Sequence, residues 1–313
     1  MDATFVHNVI FRNKLHESGG QAFQDVFNQL MSFVHESYVS VAPWGALGDR
    51  GNDGYVSTEH RYFQLYAPTS AFKPVDVLTA CRKAEEDFLK LLSIKTAMKR
   101  YHFVLNDRFK GLPEPLVTVH DAILSGHAQM DQCYPVGTHH LLKKFIELPA
   151  NKQESIIGGV PSDVPTNLDL SNLGDLLVDL ANSTDFLVVG GIKPPTMFEA
   201  KAVFNGFSED AKSLLLNYAR QSHVVDKFLD ARDTWWRQTV AEDIRNRYML
   251  LEEDLSGDEK LMQLVDVLIP TVARNHPHTL KAYRESSLLV IAKYFETCDV
   301  FENPGSAAAA KAH

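Results

Sequence analysis

The sequence predicts an α/β domain, a small mixed sheet flanked by helices, followed by an α-helical domain. Three observations predict it. Short β-rich runs alternate with longer segments of helical apolar spacing through the first 150 residues. Residues 158–167 hold two Gly and two Pro and read as a linker. Beyond the linker the apolar spacing is almost entirely that of helices. The expected divisions are residues 1–157, residues 168–302 as a partner-binding or oligomerisation domain, and residues 303–313 as a linker and tag remnant.

The elements follow in order. From Gln21 to His35 the apolar residues Phe23, Val26, Phe27, Leu30, Met31 and Val34 form one helical stripe. Tyr38–Ala42 alternates and reads as a strand, and Gly48–Asn52 reads as a loop. Tyr55–Ser57 and Tyr62–Tyr66 form a hairpin joined by Thr58–Arg61. A long helix is expected over Pro74–Arg100, a strand over Tyr101–Leu105, and helices near 115–125 and 138–147. The second domain is expected to contain helices Ala211–Leu229, Trp235–Leu251, Glu259–Leu268 and Leu280–Phe295.

Composition narrows the function classes. Residues 1–150 carry 15 basic and 16 acidic side chains, whereas the remainder carries 16 and 24. Nucleic-acid backbones are bound by Lys and Arg, so the second half is poorly suited to broad phosphate contact, while a local basic patch remains open in the first. The three cysteines, Cys81, Cys133 and Cys298, are scattered without a CxxC pair, which argues against a cysteine zinc site and fits a reducing cytoplasm. The start shows no signal-peptide pattern, and no apolar run is long enough for a membrane helix. A cytoplasmic location without membrane contact is expected. No Gly-Lys-Ser/Thr phosphate loop occurs, so the chain is not itself a P-loop ATPase, and no GxGxxG follows Gly190-Gly191.

One constellation suits metal-dependent hydrolysis. Mg²⁺ and Mn²⁺ take hard oxygen ligands, and a hairpin brings them together efficiently. Asp53 opens the first strand of the hairpin. Gln64 and Tyr66, two apart on the second, share a face, while Phe63 and Leu65 share the other. The competing reading of Asp53 is a turn residue in Asn52-Asp53-Gly54.

Gly48-Asp49-Arg50-Gly51-Asn52-Asp53-Gly54-Tyr55 followed by Tyr62-Phe63-Gln64-Leu65-Tyr66-Ala67-Pro68 resembles the GDxxNDG…QxYAP signature of a group of PD-(D/E)XK, restriction-endonuclease-like domains. Phe103–Gly111 and Phe204–Ser208 resemble further segments of the same group. These domains are found in bacterial anti-phage defence proteins, including ABC three-component systems. The resemblance implies a nuclease hydrolysing DNA phosphodiester bonds with Mg²⁺ or Mn²⁺ and a partner such as an ABC-type ATPase or another defence-system protein; the acidic helical domain is expected to dock that partner or to mediate homo-oligomerisation. It implies Asp53 as metal-binding aspartate, Gln64 at the second acidic ligand, Tyr66 where most of the superfamily has lysine, and Gln24 at a helical glutamate. Asp49 is a further candidate metal ligand. The neutral Gln24, Gln64 and Tyr66 leave open an alternative, a catalytically decayed fold acting as sensor, adaptor or structural subunit.

Other residues carry weaker signals. Asp107 ends a strand and is an accessory candidate, with a turn or helix cap as the simpler reading. Lys99, Arg100, Arg108 and Lys110 bracket the same strand and are candidate nucleic-acid contacts, against the reading of a solvated surface. His139-His140, adjacent on a helix, point apart and cannot chelate together. Trp235-Trp236 reads as core or interface.

Overall fold

A computed structural model describes residues 3–42, 52–68, 74–165, 169–182, 198–271, 277–297 and 300–304. Asp49, Gly190-Gly191, Cys298 and residues 305–313 lie outside the described residues. The fold is mixed α/β and mostly helical, with one five-stranded sheet. The chain divides into two compact units, residues 14–156 and residues 157–313 together with 1–13.

In the first unit, helix α2 (Gly20–Val34) precedes strands β1 (Tyr38–Ser40), β2 (Gly54–Val56) and β3 (Arg61–Tyr66). Helix α3 (Pro74–Ile94) leads to β4 (Arg100–Leu105), and α4 (Glu114–Gly126) to β5 (Gln132–Cys133). Helices α5 (Thr138–Ile146) and α6 (Ala150–Ile157) follow. The sheet order is β1-β2-β3-β4-β5; β1, β2 and β3 are antiparallel neighbours, and β3, β4 and β5 are parallel. Helical crossovers through α3 and α4 are what parallel neighbours require.

Alternation on β3 and β4 sends successive side chains to opposite layers. Phe63 meets Phe27 of α2 edge-to-face, with ring centroids 5.3 Å apart. Tyr62, Tyr101 and Phe103 instead join Ala84, Phe88 and Leu91 of α3 in the larger core. The apolar stripe of α2 is buried, which is why its periodicity was visible in the sequence.

Several boundaries differ from expectation. The helix expected to run to Arg100 stops at Ile94, because buried Met98 turns inward and Arg100 pairs with Arg61 as the first rung of β4. The hairpin connection is a short 3₁₀ turn, Ser57–Glu59, closed by His60 in the left-handed region at φ 46°. The first strand is shorter than expected, ending at Ser40.

The second unit is helical. It contains α7 (Leu170–Asn182), α8 (Phe198–Phe204), α9 (Glu209–Ala219), α10 (His223–Asp230), α11 (Trp235–Met249), α12 (Gly257–Leu268) and α13 (Pro277–Glu296). Leu288 to Ala292 of α13 are all inaccessible to solvent, so this helix is surrounded, with α7, α9 and α12 against it. The expected helix Ala211–Leu229 is two helices. A turn at Arg220–Ser222, with Gln221 N–H donating to Tyr218 O at 2.9 Å, separates them while the apolar stripe continues across the break. Helix α1 (Ala3–Glu17) opens the chain, and its first part groups with this unit: Arg12 Nε donates to Glu259 Oε1 at 2.6 Å, and Asn13 Nδ2 to Glu259 O at 3.1 Å. Among the described residues, no helix is long and apolar enough to cross a membrane.

Candidate functional site

Asp53 sits where β2 begins, and its carboxylate supplies what the ladder lacks there. Asp53 N–H donates to Phe63 O at 2.9 Å, and Leu65 N–H donates to Asp53 Oδ2 at 2.7 Å. The other oxygen, Oδ1, accepts from Gln24 Nε2 on α2 at 3.1 Å. The carboxylate is thus buried, with its residue 6% exposed, and oriented by two donors.

Gln64 reaches the same piece of backbone. Its Nε2 donates to Leu65 O at 3.4 Å, while Leu65 N–H holds Asp53. The Asp53 carboxylate and the Gln64 amide thus bond the N–H and the C=O of one residue. Gln64 is 2% exposed, and among the described residues its Oε1 has no donor. Asn52, beside Asp53 in sequence, is likewise buried, with no partner for its Oδ1 among the described residues. Each buried carbonyl oxygen without a donor is costly unless something electropositive meets it. The sequence reading passed over Asn52, because Asn-Asp-Gly is equally a turn sequence.

Helix α2 presents two polar side chains to this region one turn apart, Gln24 and Asn28. Asn28 Oδ1 accepts from the Tyr38 hydroxyl at 2.5 Å. Burial raises the Tyr38 pKa first and the charge of Asp53 raises it further, so the phenol stays protonated and donating. The Tyr38 hydroxyl lies over Gly54, where a Cβ would collide with it. Glycine at 54 is therefore a space requirement of the Tyr38 ring.

A hydrogen bond joins Asp53 to Gln24, while Gln64 shares with Asp53 only the Leu65 backbone, bonding its C=O where Asp53 bonds its N–H. Tyr66 lies on the same face of β3 as Gln64, its ring tilted against Phe103 at 5.9 Å and packed on the α3–α4 core, the layer opposite α2 and Gln24.

Asp107 does different work. Its Oδ1 accepts from Thr138 N–H at 2.8 Å and from the Thr138 hydroxyl, and Oδ2 accepts from Gly111 N–H at 3.1 Å. It ties the loop after β4 to the start of α5, which is the capping role. The four basic candidates do not form one patch. Lys99 and Arg100 stand at one end of β4 and Arg108 and Lys110 beyond the other, on the order of 17 Å apart along a strand of six residues. Arg100 pairs with Glu59, which also binds Arg61 at 2.8 Å, and Lys99 donates to Gln129 O at 3.1 Å. His139 packs edge-on against Phe109 and His140 Nδ1 accepts from Gly137 N–H, so neither meets the other's chemistry. Trp235 and Trp236 pack together at 5.5 Å, and the Arg232 guanidinium lies over Trp236.

No curated protein and no solved structure matches the chain. Residues 171–302, well under half of the chain, match the family described as C-terminal domain 10 of the ABC-three component (ABC-3C) systems. The helical segment from α7 onward is thus similar to a domain of anti-phage defence systems, and that similarity supports a defence-system context for the protein.

Proposed function

We propose that the first unit binds Mg²⁺ or Mn²⁺ at Asp53 and Gln64 and hydrolyses DNA phosphodiester bonds as the effector of an anti-phage defence system. The observation that supports this reading is that the Asp53 carboxylate and the Gln64 amide bond the N–H and the C=O of the same residue, Leu65, with Gln64 Oε1 buried and lacking a donor among the described residues. One carboxylate and one or two neutral carbonyl oxygens fit a hard divalent cation, with Asn52 Oδ1 as a further candidate ligand. A cation held there would supply an activated water and offset negative charge on a phosphate oxygen. Gln24 helps fix the Asp53 rotamer by donating to Oδ1. Tyr66 offers no compact cation, so charge compensation at the phosphate falls to the metal alone. The helical unit docks a partner, an ABC-type ATPase or another component of the system.

The test combines cleavage and binding. The wild-type protein is expected to nick plasmid DNA with Mn²⁺, and Mn²⁺ is expected to raise its melting temperature. Asp53→Asn should abolish both while leaving the protein folded. Absence of cleavage with either metal, together with an unmoved melting temperature, rejects the hydrolytic reading.

One observation favours a second reading. Both Asp53 oxygens already accept protein hydrogen bonds, so the carboxylate has a structural use without any metal. On that reading the unit is a catalytically decayed fold serving as sensor, adaptor or structural subunit of a defence complex. Asp53→Asn would then cost stability and leave every metal response unchanged.

A further inference from the structure

We infer that Arg61 and Arg100 form a phosphate cradle which Glu59 fills from within the chain, and that a dianionic phosphate group takes the place of Glu59. Arg61 and Arg100 are register partners on the parallel strands β3 and β4, so their side chains stand on one face of the sheet. Like charges side by side on neighbouring strands are destabilising unless an anion joins them. Glu59, in the turn that leads into β3, is that anion. Its Oε2 meets Arg61 Nη2 at 2.8 Å and also accepts from Arg100 Nη1. Its Oε1 lies 3.5 Å from Nδ1 of His35, the C-cap residue of α2. One carboxylate thus stands among nitrogen groups carried by α2, β3 and β4.

The match is incomplete. Two guanidinium charges face one carboxylate charge, and among the described residues neither arginine meets a second carboxylate. Both arginines reach Glu59 through a terminal nitrogen and share one oxygen, while the Nε of each is buried with no acceptor among the described residues. Gln132, the register partner of Arg100 on β5, extends the row with a buried Oε1 that has no donor among those residues. Buried polar atoms left unmet are costly, and these lie side by side on three adjacent strands. A guanidinium binds an oxyanion best side-on, through two parallel N–H groups. A phosphate group carries two charges and three terminal oxygens, enough to meet both arginines in that way; a single carboxylate is not. The cradle is also open to a ligand. The side chains of Arg61, Arg100 and Glu59 are 18%, 30% and 28% exposed, and Glu59 belongs to a turn of only three residues.

The inference is independent of the metal site, and binding is measured on the full chain in EDTA by calorimetric titration. The probes are inorganic phosphate and AMP, with adenosine as control. Glu59→Gln removes the internal competitor and should bind phosphate about tenfold more tightly than the wild type. Arg61→Gln or Arg100→Gln in the Glu59→Gln background should each lose that binding, with circular dichroism reporting the fold. Equal affinity for phosphate and AMP assigns the cradle to the phosphate alone; tighter AMP binding assigns it to a nucleotide. Should Glu59→Gln not fold, Glu59→Asp, one methylene too short to hold both arginines, carries the same expectation, and unfolding of both makes Glu59 a structural clamp and overturns the inference. So do absence of phosphate binding by the folded Glu59 variant, equal affinity of that variant and the wild type, binding that survives loss of either arginine, and adenosine binding as well as AMP. A 5′-hydroxyl oligonucleotide that competes as well as phosphate overturns it too, by assigning the arginines to a nucleic-acid backbone.

Discussion

Two buried histidines set a pH response at the level of single residues. His102 lies in the sheet beside Phe63 and Tyr134, and burial, aided by the nearby charge of Arg61, lowers its pKa to about 3. His120, stacked near Tyr101, is lowered for the same first reason. A group whose folded pKa lies below its unfolded one binds more protons when unfolded, so stability is complete above about pH 6.5 and falls as pH drops below it. For His102 alone the loss between pH 6.5 and 5 is roughly 2 kcal/mol. Urea titrations at both pH values should show it, and His102→Leu should flatten the slope. Asp107 yields a second expectation. Removing its carboxylate strands the buried N–H and hydroxyl of Thr138 and frees the Gly111 N–H of an exposed loop, so Asp107→Ala should cost about 2–3 kcal/mol in chemical denaturation. Such polar positions are poorly legible in sequence. Gln64 and Asp53 stand out through spacing, but their common partner, the Leu65 peptide, leaves no trace in residue identity.

Elements were legible in proportion to how one-sided their burial is. Helix α2 buries one stripe and leaves the rest wet, so its period is plain. Helix α1 buries Val6, His7, Val9, Ile10, Phe11, Asn13 and Leu15, polar and apolar together, and periodicity vanishes; it was not foreseen. Strand β5, of two residues, is too short for alternation to show. The three-residue turn between α9 and α10 was invisible because apolar spacing continues through it. Local ties matter at this scale as much as pattern. Asn205 fastens the α8–α9 connection to the backbone at Glu302, and Asn205→Ala should lower the melting temperature and speed hydrogen exchange at Glu302 and Phe207. Unchanged exchange at both amides would count against that tie. The loss should be on the order of 1–3 kcal/mol.

At the scale of the molecule, the grouping of residues 1–13 with the helical unit is the feature that sequence reading could not supply. It rests on the bonds of the Arg12 and Asn13 side chains to the carboxylate and backbone carbonyl of Glu259, 247 and 246 residues away. Arg12→Ala with Asn13→Ala should therefore loosen α12, seen as faster hydrogen exchange over residues 257–268, and leave β3 and β4 protected. Slower or unchanged exchange in α12 would refute the grouping. The order of synthesis gives this feature a further meaning. Arg12 leaves the ribosome 247 residues before Glu259. At typical elongation rates of ~5–20 residues per second, the wait is on the order of tens of seconds. Throughout it, Val6, Ile10 and Phe11 must stay uncovered or be shielded by a chaperone. A message cut short before α12 would yield a chain whose leading helix never finds its berth, and such products should be the ones that aggregate or are degraded first.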